Sequence, residues 1–407
     1  MLFTSNQTKK ISFILLSVFL GILIALSLFE LYLRLIKYPG RMYDIDTDTG
    51  LLHLIPNREF IYMKSCFKAY VKTNAQGFNS PNDYKVEKEK NELRIVVLGD
   101  SYVEGLQVDQ GKRFFEILEQ KLKKDFPEIK ITVYNFGRSG NGRLMNLLYF
   151  QNYGFFYKPD LVIDLFISND IKDDNCKERE QSFYGKLRPC IVLNASGELD
   201  YEVINKQLNE IKNIKNSFNY KIKLFVGEHF KVVDFIYKKL KEIKEKKEQE
   251  KLIKSGGMPP DYYIFLQTYP QDWKQAWEEE KVVIKELKGL AEKTGAIYVL
   301  VSGTDGFRVH DDLKAQLPQN WIEKFDFDKP EKMLSSIAKE IGINYIPLLY
   351  EFRNRAKEKT VFPCDGHWNE YGHRLAGEIL YEELMKNSKI KEILEKKKLS
   401  NKGLGQN

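Results

Sequence analysis

Histidine and cysteine are scarce in this sequence. Five histidines and four cysteines are spread over 407 residues. Cys66, Cys176, Cys190 and Cys364 are too few and too scattered for a zinc site or a disulfide framework. Cys176 and Cys190 could pair if this part of the chain lies outside the cytoplasm. His53, His229 and His310 have no acidic or cysteine cluster at ligand spacing and read as structural or surface residues. His373 follows His367 by six positions, about 240° round a helix, so the two cannot share a metal. Neither metal nor nucleotide spacing occurs, and no bound cofactor is implied. Charge of one sign is also missing. The 64 basic and 57 acidic residues leave a net charge of +7 and are mixed along the chain. No basic stripe interleaved with aromatics stands out, which argues against a nucleic-acid surface. No internal repeat is visible, so a repeat architecture is not expected.

What is present is a globular composition, 43% hydrophobic and 30% charged, long enough for one large domain or two smaller ones. A single long apolar run stands at the start. Ile11 to Phe29 carries no charge, and as a helix it is about 28 Å long, close to the thickness of a bilayer core. A cleavable signal would have a shorter apolar region ending in small residues, and Phe29-Glu30-Leu31-Tyr32-Leu33 offers no such site. Residues 1–40 therefore read as a short tail and an uncleaved, single-pass signal anchor. The tail is placed inside and the long domain outside the cytoplasm.

Residues 41–90 form a polar, turn-rich approach, with a tight turn at Thr73–Phe78 and a charged surface loop from Lys85 to Glu92. From 91 to 387 the pattern is that of an α/β domain. Leu93–Leu98, Ile129–Phe136, Pro159–Ile167, Ala296–Val301 and Ile343–Leu349 read as strands. Lys112–Phe126, a segment from about Leu144, Asp272–Lys293, Asp328–Ile341 and a segment from near Asn369 have helical spacing. Strands alternating with helices give a three-layer fold, a parallel sheet with helices on both faces. Residues 171–270 interrupt it as a helical, Lys- and Glu-rich insertion expected to cover the site. The charge run Lys241–Lys251 reads as a solvated helix face. Residues 388–407 form a basic tail expected to fray.

Three strand ends carry polar loops: Gly99-Asp100-Ser101, Gly137–Gly142 and Ser168-Asn169-Asp170. In one parallel sheet these ends share an edge, where open α/β sheets keep their ligands. Asp365-Gly366-His367 lies on a loop before a helix that Asn369 could cap. Acyl transfer needs this set: a nucleophilic hydroxyl, an imidazole to carry its proton, a carboxylate to orient the imidazole, and donors aimed at the oxyanion. The donors would be the backbone N–H groups of Ser101 and Gly140 and the side-chain amide of Asn169.

With Gly99-Asp100-Ser101, Asn135-Phe136-Gly137-Arg138-Ser139-Gly140, Asn169-Asp170 and Asp365-Gly366-His367 in this order, the chain resembles the SGNH (GDSL-type) hydrolase superfamily over roughly residues 90–170 and 290–385. The resemblance implies a flavodoxin-like fold with Ser101 as nucleophile, His367 as base, Asp365 as its orienting acid, and Gly140 and Asn169 completing the oxyanion hole. Three departures stand out. Tyr102 replaces the leucine of the family's name, a change expected to matter little. Ile167 stands where many members have glycine. The acid precedes the histidine by two residues rather than three, a form similar to the membrane-anchored, extracytoplasmic branch, which includes polysaccharide O-acetyltransferases. The remaining candidates have plainer readings. Asp170 either orients the Asn169 loop or caps a helix, Cys364 is a small buried filler, and Trp368 packs on the His367 loop or lines a sugar site. The expectation is a membrane-anchored serine esterase acting on an acylated, first of all acetylated, envelope or extracellular polysaccharide or another ester. Its alternatives are an O-acyltransferase with the same triad and a non-catalytic carbohydrate-binding or assembly protein.

Overall fold

The computed structural model describes residues 5–178 and 185–402. The chain enters through α1 (Ser5–Leu35), in which Lys9–Leu35 is long and apolar enough to cross a membrane. None of its most apolar window is buried in the protein.

Residues 41–90 are more than the polar approach expected from composition. They fold into two antiparallel hairpins, β1 (Tyr43–Ile45) with β2 (Leu52–Leu54) and β3 (Glu59–Lys64) with β4 (Phe67–Lys72). Strand alternation explains this. Phe67, Ala69 and Val71 of β4 are buried while Lys68, Tyr70 and Lys72 are exposed. The turn expected at 73–78 is present, and Phe78 is buried against Tyr84, Phe136, Tyr149 and Tyr153.

The central sheet is parallel and five-stranded: β5 (Glu92–Leu98), β6 (Lys130–Asn135), β7 (Leu161–Phe166), β8 (Ile297–Ser302) and β9 (Asn344–Pro347). Its order is β6-β5-β7-β8-β9. This is the flavodoxin-like 2-1-3-4-5 winding, whose direction reverses between β5 and β7 and leaves a crevice at their C-terminal ends. Every residue of β5 and β7 is buried, as strands covered on both faces must be. Ile95 and Val97 of β5 enter one apolar cluster, and Val96 and Leu98 enter the other. Burial reaches Glu92, which the sequence left in a surface loop. Its Oε1 accepts from Arg94 Nε at 2.8 Å, and the Arg94 guanidinium also donates to the carbonyls of Val86 and Tyr157, both at 2.9 Å.

Helices cover both faces. In chain order they are α2 (Ser101–Glu104), α3 (Phe114–Asp125), α4 (Arg143–Asn152), α5 (Asp170–Asp174), α6 (Tyr201–Asn216), α7 (Phe218–His229), α8 (Lys231–Lys254) and α9 (Gln271–Lys293). Short α10 (Gly306–Val309), α11 (Asp311–Lys314) and α12 (Gln319–Ile322) precede α13 (Lys329–Ile341), α14 (Leu348–Arg355), α15 (Glu370–Leu384) and α16 (Ser388–Lys402). α4, α9 and α13 supply one layer; α3, α14, α15 and α16 supply the other. The insertion departs from expectation. α6 packs on β1 and α8 on the end of α1, so these helices lie on the side of the domain that meets the end of α1. Among the described residues of the insertion, Asp173 and Asp174 of α5 and the segment around Arg188 stand against the strand-end loops. The C-terminal segment, expected to fray from 388 to 407, is helical from Ser388 to Lys402, and residues 403–407 lie outside the described residues. Ile390 and Leu394 of α16 are buried one turn apart, and Lys397 and Lys398 pair with Asp160 at 3.1 Å and Glu128 at 3.0 Å.

His373, in the first turn of α15, joins two helices of one layer: its Nδ1 accepts the Phe114 backbone N–H of α3 at 3.3 Å. Burial, with Arg113 and His367 nearby, pushes the imidazole down to about 3. Below pH about 6.5 the unfolded chain binds a proton here that the folded chain refuses, so folding stability should fall as pH falls, until about pH 3. Relative to His373→Gln, the native chain should lose roughly 1.4 kcal/mol per pH unit below 6.5. Urea unfolding of both chains at pH 7, 6 and 5 measures this. A constant difference would mean that His373 is charged in the fold.

Candidate active site

β5 ends at Gly99, whose backbone turns at φ +155°. A Cβ there would lie 2.5 Å from the Val103 side chain, so the turn demands glycine. It sets Ser101 at the start of α2, above the end of β5. Asp100 caps that turn by accepting the Tyr102 N–H at 2.9 Å. Its carboxyl is pushed up by complete burial, against the opposing pull of the Tyr102 N–H, His367 and the Asn169 amide.

His367 arrives from the other end of the domain. Its Nε2 lies 2.7 Å from Ser101 Oγ. On the far side of the ring, Asp365 Oδ2 is 3.3 Å from Nδ1, close enough for an ion pair though not aligned as a hydrogen bond. Asp365 Oδ1 accepts the His367 backbone N–H at 3.2 Å. The two-residue spacing thus lets the acid bind both the backbone and the ring of the same histidine. Burial raises the Asp365 carboxyl, but His367 and Lys64 outweigh it and hold the group below the usual carboxylate range. Asn369 accepts the Gly372 N–H at 2.9 Å and caps α15, as its position predicts.

Three residues that hold this loop were not foreseen. Cys364, expected as a buried filler, forms a disulfide with Cys66 in the β3–β4 turn. Lys64, on the same hairpin, places Nζ 3.5 Å from Asp365 Oδ2. Tyr102, expected to matter little, donates its hydroxyl to the Gly366 carbonyl at 3.2 Å. Its ring lies 5.0 Å from both His367 and Trp368. A leucine would fill part of that space but could not bond the loop. Trp368 is fully buried and donates Nε1–H to the Thr304 carbonyl at 3.0 Å, which makes it a packing residue. A second disulfide joins Cys176 and Cys190, so all four cysteines are paired and correct the expectation that they were too scattered for a framework.

The other two strand-end loops flank Ser101. Gly140 has φ +75°, and a Cβ on it would lie 2.8 Å from the Arg188 guanidinium. Arg188 is buried and lies 3.3 Å from Asp173 Oδ1. Asp173 Oδ2 accepts from the Asn169 amide at 2.9 Å, so the two loops are linked through one carboxylate. Asp170 orients the Asn169 loop, accepting the Ile167 N–H at 2.7 Å and Arg143 at 2.5 Å. Ile167 turns inward and is buried. Glu104, three residues after Ser101, accepts from Arg138 at 2.5 Å, the Ser139 N–H at 3.0 Å, the Ser139 hydroxyl, and the Tyr43 hydroxyl at 3.0 Å. That cluster locks the Gly140 loop to the helix carrying Ser101. Among the described residues, no group of three His, Cys, Asp or Glu side chains could hold a metal ion.

No family model matches this chain, and no curated protein matches it. Solved structures similar to parts of it include TesA, at 12% identity over 72% of this chain and 98% of that one, with a TM-score of 0.37. A mutant of Axe2, an acetylxylan esterase from Geobacillus stearothermophilus, matches at 12% identity over 72% and 94%, with a TM-score of 0.37. A two-domain esterase active on acetylated mannans matches at 15% identity over 72% and 49%, with a TM-score of 0.36.

The disulfide and the Tyr102 bond both clamp residues 362–367. Replacing Cys66 and Cys364 by serine together should speed amide hydrogen exchange across 362–367 by about tenfold or more, while β5 and β7 stay unchanged. Hydrogen-exchange mass spectrometry reads both. Unchanged exchange in the loop would assign its order to Tyr102 and the local turn alone.

Proposed function

We propose that this protein is a membrane-anchored serine esterase that removes O-acyl groups, acetyl first among them, from an envelope or extracellular polysaccharide. The observation that carries the reading is the 2.7 Å contact between Ser101 Oγ and His367 Nε2, with Asp365 behind the ring, at the reversal point of the sheet. A binding protein has no need of a hydroxyl, an imidazole and a carboxylate in line.

In this reading His367 Nε2 takes the Ser101 proton as Oγ attacks the ester carbonyl. Asp365 keeps Nδ1 protonated and offsets the charge gained by the ring. The backbone N–H groups of Ser101 and Gly140 and the Asn169 amide receive the developing oxyanion. Loss of the alkoxide, protonated by His367, leaves an acyl group on Ser101. Water, deprotonated by His367, then attacks that acyl group and releases the acid with Ser101 restored. Tyr102, Lys64 and the Cys66–Cys364 disulfide act as positioning residues. Support for an extracytoplasmic catalytic domain comes from the two disulfides, which persist in oxidising compartments. The candidate span Lys9–Leu35 supplies the anchor.

The full chain in detergent micelles should hydrolyse a chromogenic acetyl ester. Ser101→Ala and His367→Ala should each lower kcat/KM by about 10³-fold or more, and Asp365→Asn by a smaller but large factor. Acetate transferred to an added sugar, with no release in water, would replace the esterase by an acyltransferase of the same first half-reaction. Turnover that survives Ser101→Ala would overturn the mechanism.

A further inference from the structure

α7 and α8 carry an apolar face that no other part of the described protein covers. On α7, Phe218, Ile222 and Phe225 follow one another at four and three residues. On α8, Val233, Tyr237 and Leu240 do the same. This spacing puts each set on one side of its helix. All six are exposed, Phe218 to 76% and Leu240 to 62%. Lys223 of α7 places Nζ 5.5 Å from the centre of the Tyr237 ring on α8, so the two helices meet beside the α8 stripe. Continuous apolar surface of this kind marks a site of contact.

The position of α1 identifies what makes the contact. At 1.5 Å per residue, the 27-residue stretch Lys9–Leu35 is about 40 Å long, longer than the roughly 30 Å hydrocarbon core of a bilayer. Its last turns therefore stand at headgroup level. At this level α8 docks. Glu30 Oε2 accepts the Val232 N–H at 2.8 Å, and the Phe29 ring meets Phe235 edge-on at 5.3 Å. Arg34 donates to the His229 carbonyl at 2.6 Å. Lys231 and Lys238 donate to the Tyr38 and Gly40 carbonyls, at 2.5 and 2.6 Å. The junction of α7 and α8 is thus pinned at the depth where lipid tails give way to headgroups. The charge fits this place: α8 carries nine lysines against five acidic residues. Solvation accounts for those lysines, but it does not account for the aromatic and aliphatic stripe between them.

We propose that α7 and α8 lie in the surface of the bilayer, with the stripe at the boundary of headgroups and acyl chains and the lysines against anionic headgroups. The inference rests on the membrane-anchored reading above. Such a surface holds the domain in one orientation on its anchor and fixes the height of the Ser101 crevice above the lipid.

The test is quenching of introduced tryptophan by brominated lipid, with the full chain reconstituted in phosphatidylcholine–phosphatidylglycerol vesicles. Trp273, Trp277, Trp321 and Trp368 are all buried and give an unquenched background. Phe225→Trp and Leu240→Trp report the proposed surface; Leu20→Trp reports insertion of α1. All three positions are exposed, so the fold is not disturbed. Emission at 225 and 240 should fall about twofold with bromines near the headgroup end of the acyl chains, and less with bromines near their tips. At position 20 the deep bromines should quench most. Quenching at 20 with none at 225 and 240 would overturn the surface and leave the anchor standing, the result a protein partner or a second copy on that face would give. No quenching at any of the three would overturn the anchor, and the surface with it.

Discussion

Everything at the crevice depends on keeping one contact closed across 266 residues of chain: Ser101 Oγ against His367 Nε2. Neither residue can hold it alone. Ser101 is fixed because β5, buried over its whole length, ends in a turn that only glycine allows. His367 sits on a loop beyond the last strand, closed by one antiparallel bridge between Val361 and Trp368 and by the Phe362 N–H on the His367 carbonyl at 2.8 Å, and is otherwise fixed from outside the sheet. Tyr102 holds the loop from the serine's own helix, and the β3–β4 hairpin holds it covalently through Cys66 and electrostatically through Lys64. The serine's neighbour therefore positions the histidine. A shift in α2 would move both partners together, which protects the distance between them.

Buried charge does the corresponding work on the other side of Ser101. Arg143 is fully buried, opposite Asp164 on β7 and Asp170 on the Asn169 loop. Arg138 is buried against Glu104. Such pairs add little net stability over apolar packing, but removing one partner strands the other and costs about 3–5 kcal/mol. Their value here is geometric. An apolar core tolerates small slides of one loop over another, whereas a carboxylate accepting from two loops does not. Asp173 illustrates this, since Arg188 and the Asn169 amide each meet a different oxygen of its carboxylate.

The sequence displays what repeats locally and hides what joins distant points. The five sheet strands are apolar runs, three of them ending in polar loops, and the shared edge of those ends follows from the α/β alternation. The three-residue strands β1 and β2 are too short to show a period. Ile390 and Leu394 of α16 are two apolar positions among lysines, a stripe too narrow to separate from a charged tail. The Cys66–Cys364 pair spans 298 positions, and only the even number of cysteines hinted at it. Lys64 is one of 64 basic residues until the fold sets it beside Asp365. Tyr102 was visible as a departure from a motif, but its hydroxyl acquires a role only when Gly366 stands opposite. A motif departure next to Ser101 is therefore better read as a question about the neighbouring loop than as neutral drift.

The hairpin that clamps His367 also connects it to α1. Just beyond α1, the Lys37 carbonyl accepts the Ile61 N–H of β3 at 2.9 Å, and Lys37 Nζ lies 3.4 Å from Glu59 on the same strand. Seven residues on from Glu59, β3 has ended and Cys66 in the turn is bonded to Cys364, next to Asp365. A path of backbone and covalent bonds thus runs from the end of α1, along one short strand, to the loop carrying Asp365 and His367. A flexible linker would let the domain drift and sample its surroundings at random. Here the segment after α1 is itself part of what orders His367, so the placement of the domain on α1 and the geometry of its crevice are set by the same residues.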